Sequence, residues 1–271
     1  MSLRVGILTS VELRHRYFVN AIAKRFDVVA VGYQETGYRP ATAHLDGLDA
    51  ETACIVAHHF DERRRQEEIY FSQGGARRES SRNCAVRGLD SATLNSHQTA
   101  RLLGERDVDV VAVYGTDLIK PPLLDRFGGR MINMHLGLSP YYRGTATNFY
   151  PLLNDEPEFV GATIHMIDAG IDSGDIIHHA RPEIVADDMP HTVGCKAILA
   201  GIDKMIQALT ELESGALVTT PQWPIRDAKL YLRADYHPSQ VRALYELIAA
   251  GLFPNYVSRR HRVQDTFRLI P

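Results

Sequence analysis

The chain has 271 residues, 45% hydrophobic and 23% charged, with a formal net charge of −3 and a pI near 6.5. That length and composition suit one α/β core with a smaller appendage and exclude a disordered or fibrous chain. The mild acidity supplies no global field toward nucleic acid or an anionic membrane.

Met1 to Arg4 run directly into Val5-Gly6-Ile7-Leu8 without an apolar leader, and no run approaches the roughly 18–20 apolar residues of a membrane span. A cytoplasmic protein without membrane contact is expected. Cys54, Cys84 and Cys195 share no CxxC or zinc spacing, which argues against a disulfide framework or a structural metal.

Residues 3–8, a helix near 12–26 with Leu13, Phe18, Val19, Ile22 and Phe26 for its inner face, and the strand Val28-Val29-Ala30-Val31 make a strand–helix–strand unit suited to a parallel sheet. The turn Thr9-Ser10-Val11-Glu12 has no glycine-rich phosphate cradle. Ser10 and the cluster Arg14-His15-Arg16 are candidates to replace it, although the cluster fits a solvated helix face equally well.

Residues 33–50 read as loop, Glu51 to Phe71 as a charged helix, and Gly74 to Arg82 as a mobile connection. Asn95 or Ser96 can cap a helix through Arg106, followed by a buried strand Val108–Tyr114, the loop Gly115–Pro121 and a short helix. The adjacent pairs His58-His59 and His178-His179 do not have converging ligand spacing, because neighbouring residues point apart. No metal is expected.

Met131 to His135 reads as a strand in which Asn133 and His135, two apart, share a face. The loop Gly137-Leu138-Ser139-Pro140-Tyr141-Tyr142-Arg143-Gly144 follows it, at the carboxyl end where open α/β sheets bind ligands. A strand from Phe159 to Asp168 then leads into Gly170-Ile171-Asp172-Ser173-Gly174, where flanking glycines hold Asp172 at a turn. Asp172 follows His135 by 37 positions.

Asn133-Met134-His135, Pro140-Tyr141-Tyr142-Arg143-Gly144 and Gly170-Ile171-Asp172-Ser173-Gly174, in this order, resemble the N-x-H, P-x-Y/W-R-G and G-x-D-x-G elements of the folate-dependent formyltransferase family. The resemblance implies a Rossmann-like, mostly parallel α/β sheet with flanking helices. It further implies an N-formyltransferase with 10-formyltetrahydrofolate as cosubstrate and Asn133, His135 and Asp172 as catalytic residues. His165 stands where the family tends to carry a histidine beside the site. By the same resemblance, Asp117, Leu118, Ile119 and Leu124, together with Ile167, Asp168, Gly170 and Ile171, would hold the folate. Tyr142, Arg143 and Asn148, with Ser10, Arg14, His15 and Arg16, would meet the acceptor. Where members commonly carry serine two positions after the histidine, this chain has Gly137.

Further on, Met189 to Ser214 reads as an amphipathic helix with Val193, Ala197, Ile198, Ile202, Met205, Ile206 and Leu209 as a core stripe. Leu217–Thr220 and Lys229–Leu232 are strand-like, and Pro238-Ser239 opens a helix through Ala250. The expected division is a catalytic core over 1–214 and a small C-terminal lobe over 215–271. The last helix has two open uses, covering the site or forming a homodimer contact.

Within the resembling family, a tRNA-formylating member carries an extra C-terminal barrel and needs a basic surface, and a glycinamide ribonucleotide member uses a glycine-rich phosphate loop. This chain shows neither feature, so a small-molecule amine and no nucleic acid are expected. A nucleotide-linked amino sugar, its pyrophosphate on Arg14-His15-Arg16, comes first, and an amino-acid-derived amine such as hydroxyornithine follows. A silent folate-binding protein and a 10-formyltetrahydrofolate hydrolase are the alternatives from other classes.

Overall fold

A computed structural model describes residues 2–35, 47–75 and 84–271. Among them, strands β1 (Arg4–Ser10), β2 (Asp27–Gln34), β3 (Ala85–Leu89), β4 (Val110–Tyr114), β5 (Met131–His135), β6 (Tyr142–Gly144), β7 (Ala162–Met166), β8 (Ile176–Ala180) and β9 (Lys229–Tyr231) are joined by helices and loops. Those helices are α1 (Leu13–Ala23), α2 (Ala50–Gly75), α3 (His97–Gly104), α4 (Leu123–Phe127), α5 (Tyr150–Leu153), α6 (Pro190–Ser214), α7 (Ser239–Ala249) and α8 (Leu252–Val263).

The main sheet has the order β3-β2-β1-β4-β5-β7-β8. Its β3-to-β5 part is parallel, and β7 and β8 add antiparallel pairs. The continuous apolar runs of β1 and β4 suit a parallel sheet covered on both faces. Val5, Ile7 and Val110 pack on one side with Phe18 and Ile22 of α1 and the Ile198, Ile202 and Met205 stripe of α6. Leu8, Val29 and Val111 pack on the other with Leu103 and Phe127. Ser96 caps α3 by accepting the Thr99 N–H.

Several elements differ from the expectation. Helix α2 runs past Phe71 to Gly75, so Gly74 and Gly75 are helical, and the rest of the expected connection up to Arg82 lies outside the described residues. Strands β3 and β8 and helix α8 are additional. Leu217–Thr220 forms no strand, only an antiparallel bridge from Thr220 to Ile176. Tyr142–Gly144, expected as loop, pairs in parallel with β9.

Residues 215–271 pack on the rest of the chain at several points. Leu244, Leu252, Phe253 and Tyr256 share a cluster with Leu152, Val193 and Ala197, and burying a side chain of this size contributes roughly 2–3 kcal/mol. The His179 N–H donates to the Ile270 carbonyl at 2.6 Å, alongside β8. Among the described residues, no helix is long and apolar enough to cross a membrane.

Candidate active site

At the carboxyl ends of β1, β4 and β5 lies a cavity of about 1330 Å³. A single drug-sized ligand commonly occupies roughly 300–1,000 Å³, so there is room here for two. Asn133, His135 and Asp172 all line it.

The β5–β7 register brings these groups together, because antiparallel pairing sets Asn133 opposite His165 and His135 opposite Thr163. Asn133 Nδ2 lies 3.1 Å from His165 Nε2 and 3.4 Å from Asp172 Oδ1. The second contact is long for a hydrogen bond, which makes that N–H the one most easily turned to another acceptor. His165 Nδ1 is 2.8 Å from the Met166 carbonyl, which can only accept, so Nδ1 carries the proton and Nε2 faces Asn133.

His135 Nδ1 lies 3.3 Å from Asp172 Oδ2, and the Gly144 N–H donates to the same oxygen at 3.0 Å. Asp172 itself has φ +46° in the left-handed region, where an Asp is tolerated better than most residues. Its turn is tied down by Gln222 Nε2, which donates to the Asp172 and Gly174 carbonyls at 2.7 and 2.9 Å. Gly144, at φ +92°, lets β6 bend close enough to offer its N–H.

Burial pushes the Asp172 carboxyl upward, but His135, His165 and the Gly144 N–H outweigh it and hold the group well below the ordinary carboxylate range. Burial also lowers His135 from its ordinary value, against the pull of Asp172. An ionised carboxylate thus stands beside an imidazole free to take a proton at neutral pH.

On its other side, His135 Nε2 lies 3.2 Å from Thr147 Oγ1 and 3.3 Å from the Tyr142 carbonyl. A Cβ on Gly137 would come within 2.6 Å of that same nitrogen and 2.7 Å of Thr147. Thr147 lies outside the three motifs, so nothing in the pattern pointed to it. Its signal is the glycine at 137, which leaves space for another side chain beside His135.

The remaining candidates divide. Asp117, Leu118 and Ile119 on the β4–α4 connection and Ile167, Asp168, Gly170 and Ile171 after β7 line the cavity, as do Ser10, Arg14, His15 and Asn148. Leu124 does not; it packs under the sheet beside Phe127 and Leu123. Arg16 is exposed and donates to the Val11 carbonyl instead. Tyr142 is buried away from the cavity, its ring near Phe159 and Tyr231 and its hydroxyl bonded to Glu156 and Asn154. Arg143 is likewise absent from the cavity wall.

The basic cluster is also not a free phosphate cradle. Arg14 pairs with Glu67 at 2.5 Å and lies 3.8 Å from Glu12. His15 Nδ1 sits 2.7 Å from Glu12, and burial pushes the imidazole down to about 4, so it is neutral near pH 7. Two carboxylates, Glu12 and Glu67, therefore face Arg14, and Glu67 is shared with Arg63 at 3.1 Å.

Asp117 accepts from Gln34 and Ser91, each at 2.6 Å, and from Arg233 at 2.5 Å. It joins the sheet end to the C-terminal segment. Among the described residues, no group of three or more His, Cys, Asp or Glu side chains could hold a metal ion.

A family model for formyl transferase matches residues 41–209, more than half of the chain. A methionyl-tRNA formyltransferase of Burkholderia thailandensis is 42% identical over 118 residues, covering 43% of this chain and 35% of that protein. The chain thus spans about a third of the length of that curated relative. Among solved structures, a phosphoribosylglycinamide formyltransferase from Anaplasma phagocytophilum superposes with a TM-score of 0.57 at 16% identity, covering 86% of this chain and all of that one. A sugar N-formyltransferase from Shewanella sp. gives 0.55 at 16% identity, covering 89% and 87%. At such identities the likeness is one of fold. With the family model covering more than half of the chain, including the Asn133 strand and the Asp172 turn, the chain belongs to the formyl transferase family.

Proposed function

We propose that the protein transfers a formyl group from 10-formyltetrahydrofolate to the primary amine of a small molecule, with a nucleotide-linked amino sugar as the first candidate. The observation that carries this reading is the meeting of Asn133, His135 and Asp172 on one wall of a cavity large enough for two substrates.

In the reaction the amine nitrogen attacks the formyl carbon and the carbonyl electron pair moves onto oxygen. Collapse of the tetrahedral intermediate breaks the bond to the folate nitrogen, which gains a proton as the amine loses one. Asn133 can turn its second N–H to the oxyanion, a contribution of about 3–4 kcal/mol where such donors have been removed elsewhere. His135 takes and returns the proton, and Asp172 offsets the charge that the imidazole acquires.

Ile119 and Ile167 offer apolar surface, and the surrounding loops offer backbone donors and acceptors, which suits a flat pterin ring. Asp117 and Asp168 would supply polar contacts there. Ser10 and Asn148 each hold a buried polar atom without a hydrogen-bond partner, Oγ and Nδ2, available to the acceptor. Because Arg14 is held by Glu67, a pyrophosphate would have to rely on Arg63 and Arg64, which also line the cavity and are more exposed.

The carboxylates of Glu12 and Glu67 near the same end favour a second reading, a cationic amino-acid-derived amine such as hydroxyornithine. Mass spectrometry of the protein with 10-formyltetrahydrofolate and a panel of nucleotide-linked amino sugars, ornithine derivatives, glycinamide ribonucleotide and methionyl-tRNA tests both. One formyl group gained by an amino sugar alone supports the first reading. Formylation of methionyl-tRNA alone would overturn the small-molecule assignment, and folate release without any acceptor would turn the reading to hydrolysis.

A further inference from the structure

The cavity also reaches a pair of imidazoles on α2 and α6 that the chemistry above does not use. His191 Nε2 lies 3.2 Å from His59 Nδ1, and both residues line the cavity. Burial foremost, with Arg63 nearby, pushes both rings down to about 3, so they are neutral at physiological pH.

A neutral imidazole has one N–H and one acceptor nitrogen. In a hydrogen bond between two neutral rings, one of the facing nitrogens donates and the other accepts. The two outer nitrogens, His59 Nε2 and His191 Nδ1, must then be unlike: whichever tautomers are present, one donates and one accepts. Apart from a backbone contact of the His191 ring with His59, the hydrogen bonds of the described residues match neither of them to another group.

This pair is joined to the catalytic histidine by a short stretch of wall. Thr147 touches His135, and Phe149, two residues on, stands edge-on to His59 at 6.3 Å between ring centroids. Two residues span at most about 7 Å of chain. Phe149 is also edge-on to Tyr236 at 5.7 Å, and Phe60 completes an aromatic wall around the cavity there.

A carboxylate or phosphate only accepts and an ammonium only donates, so each would leave one outer nitrogen unmatched. Neighbouring hydroxyls both donate and accept and satisfy the pair in either tautomeric arrangement. An aromatic wall suits the apolar face of the ring that bears them. An amino-acid head group, with an ammonium and a carboxylate together, would match both outer nitrogens, but it would bring two full charges against the aromatic wall of Phe60, Phe149 and Tyr236, where vicinal hydroxyls bring none. We infer that the His59–His191 pair recognises two vicinal hydroxyls of the acceptor, which makes that acceptor a sugar. The inference deepens the proposed transferase reading and rests on it for the word acceptor.

The test is calorimetric binding, which needs no turnover. The ligands are UDP-linked 4-amino-4,6-dideoxyglucose, its 3-deoxy counterpart, N5-hydroxyornithine and tetrahydrofolate, each titrated into wild type, His59→Leu, His191→Leu and His59→Gln. Wild type should bind the sugar and lose about tenfold with the 3-deoxy compound, the scale of one or two neutral hydrogen bonds. Each leucine variant should weaken the parent sugar by a similar factor and leave the 3-deoxy compound and tetrahydrofolate unchanged, while glutamine, with both donor and acceptor, keeps most of the affinity. Binding of hydroxyornithine in place of the sugar would overturn the inference. So would leucine variants that bind the sugar normally, or that weaken all ligands alike. Sugar binding in this pattern without formyl product would remove the transferase reading and leave the hydroxyl site standing.

Discussion

Thr147 and His135 meet through a hydroxyl and a ring nitrogen, Oγ1 to Nε2 at 3.2 Å, in space that exists because residue 137 is glycine. The Thr147 hydroxyl also reaches the Leu136 carbonyl. With His135 neutral, the hydroxyl can donate to Nε2; with His135 protonated, it can turn to Leu136 and accept from Nε2. Thr147 thus serves both protonation states. The Tyr142 carbonyl, which only accepts, serves the protonated one.

Thr147→Val removes the donor that supports neutral His135 and keeps the carbonyl that supports the charged form. The acid limb of the kcat profile should therefore move to higher pH, with Thr147→Ser restoring it. An unchanged limb with lower kcat would reduce Thr147 to packing. Gly137→Ser should lower kcat at least tenfold and destabilise the fold by about 1–3 kcal/mol, as crowding of a filled site does. The Thr147→Ala change on that background should recover stability, read from denaturation midpoints.

Asn133→Ala and His135→Ala are expected to lower kcat by about 10²–10³-fold, the range for removing an oxyanion donor or a general base. The affinity for tetrahydrofolate should hold within a few fold. Turnover near the wild-type value in either variant would remove that residue from the mechanism.

Asp172→Asn isolates charge from backbone, because asparagine also tolerates the left-handed φ of +46°. Without the carboxylate, His135 should titrate still lower and kcat should fall. Since folding depresses the Asp172 pKa, its contribution to stability is present above the unfolded carboxylate pKa of about 3.9 and is lost as pH falls below it. Urea midpoints at pH 5 and pH 3 should therefore diverge more in wild type than in the variant.

Four histidines, three buried and His191 half-buried, act at a higher pH. Burial holds His15 and His179 at about 4 and His59 and His191 at about 3. These rings bind protons when unfolded and not when folded, so the stability they allow is present above about pH 6.5 and declines as the pH drops toward the folded values. Well below pH 6.5 each subtracts about 1.4 kcal/mol per pH unit. The denaturation midpoint should fall between pH 7 and pH 5, and less steeply in a His59→Leu, His191→Leu double variant.

Much of the fold was readable because apolar period and local caps agree. The buried runs of β1 and β4, the Ser96 cap and the α6 stripe each point one way. Where tertiary pairing decides, the sequence reads ambiguously. Ala85–Leu89 is half-buried on the sheet edge, and its alternation is short. Ile176–Ala180 carries two histidines whose partners, the Pro271 and Ser139 carbonyls, lie far away in the chain. Helix α8 has Pro254 in its first turn and a basic run in its last, which reads as a break followed by loop.

The site divides along the same line. Asn133 and His135 were visible as a spacing on one strand, and Asp172 as a turn between glycines. Arg14 read as a free cation because Glu67, which offsets it, comes from another helix. Tyr142 and Arg143 read as surface residues of a loop, whereas pairing with Lys229 and Leu230 makes that loop a strand. The role of Thr147 follows from where the chain returns to His135.

That pairing of β6 with β9 also sets an order of events during synthesis. A nascent chain that has left the ribosome only as far as Ser214 already contains the seven strands of the main sheet and all three polar residues of the site. It lacks Lys229–Tyr231, which hold β6, and Gln222, which holds the Asp172 turn. Domains commonly fold from the N-terminus while translation continues. Here the sheet can close early, but the catalytic loop takes its final shape only once the last quarter of the chain arrives.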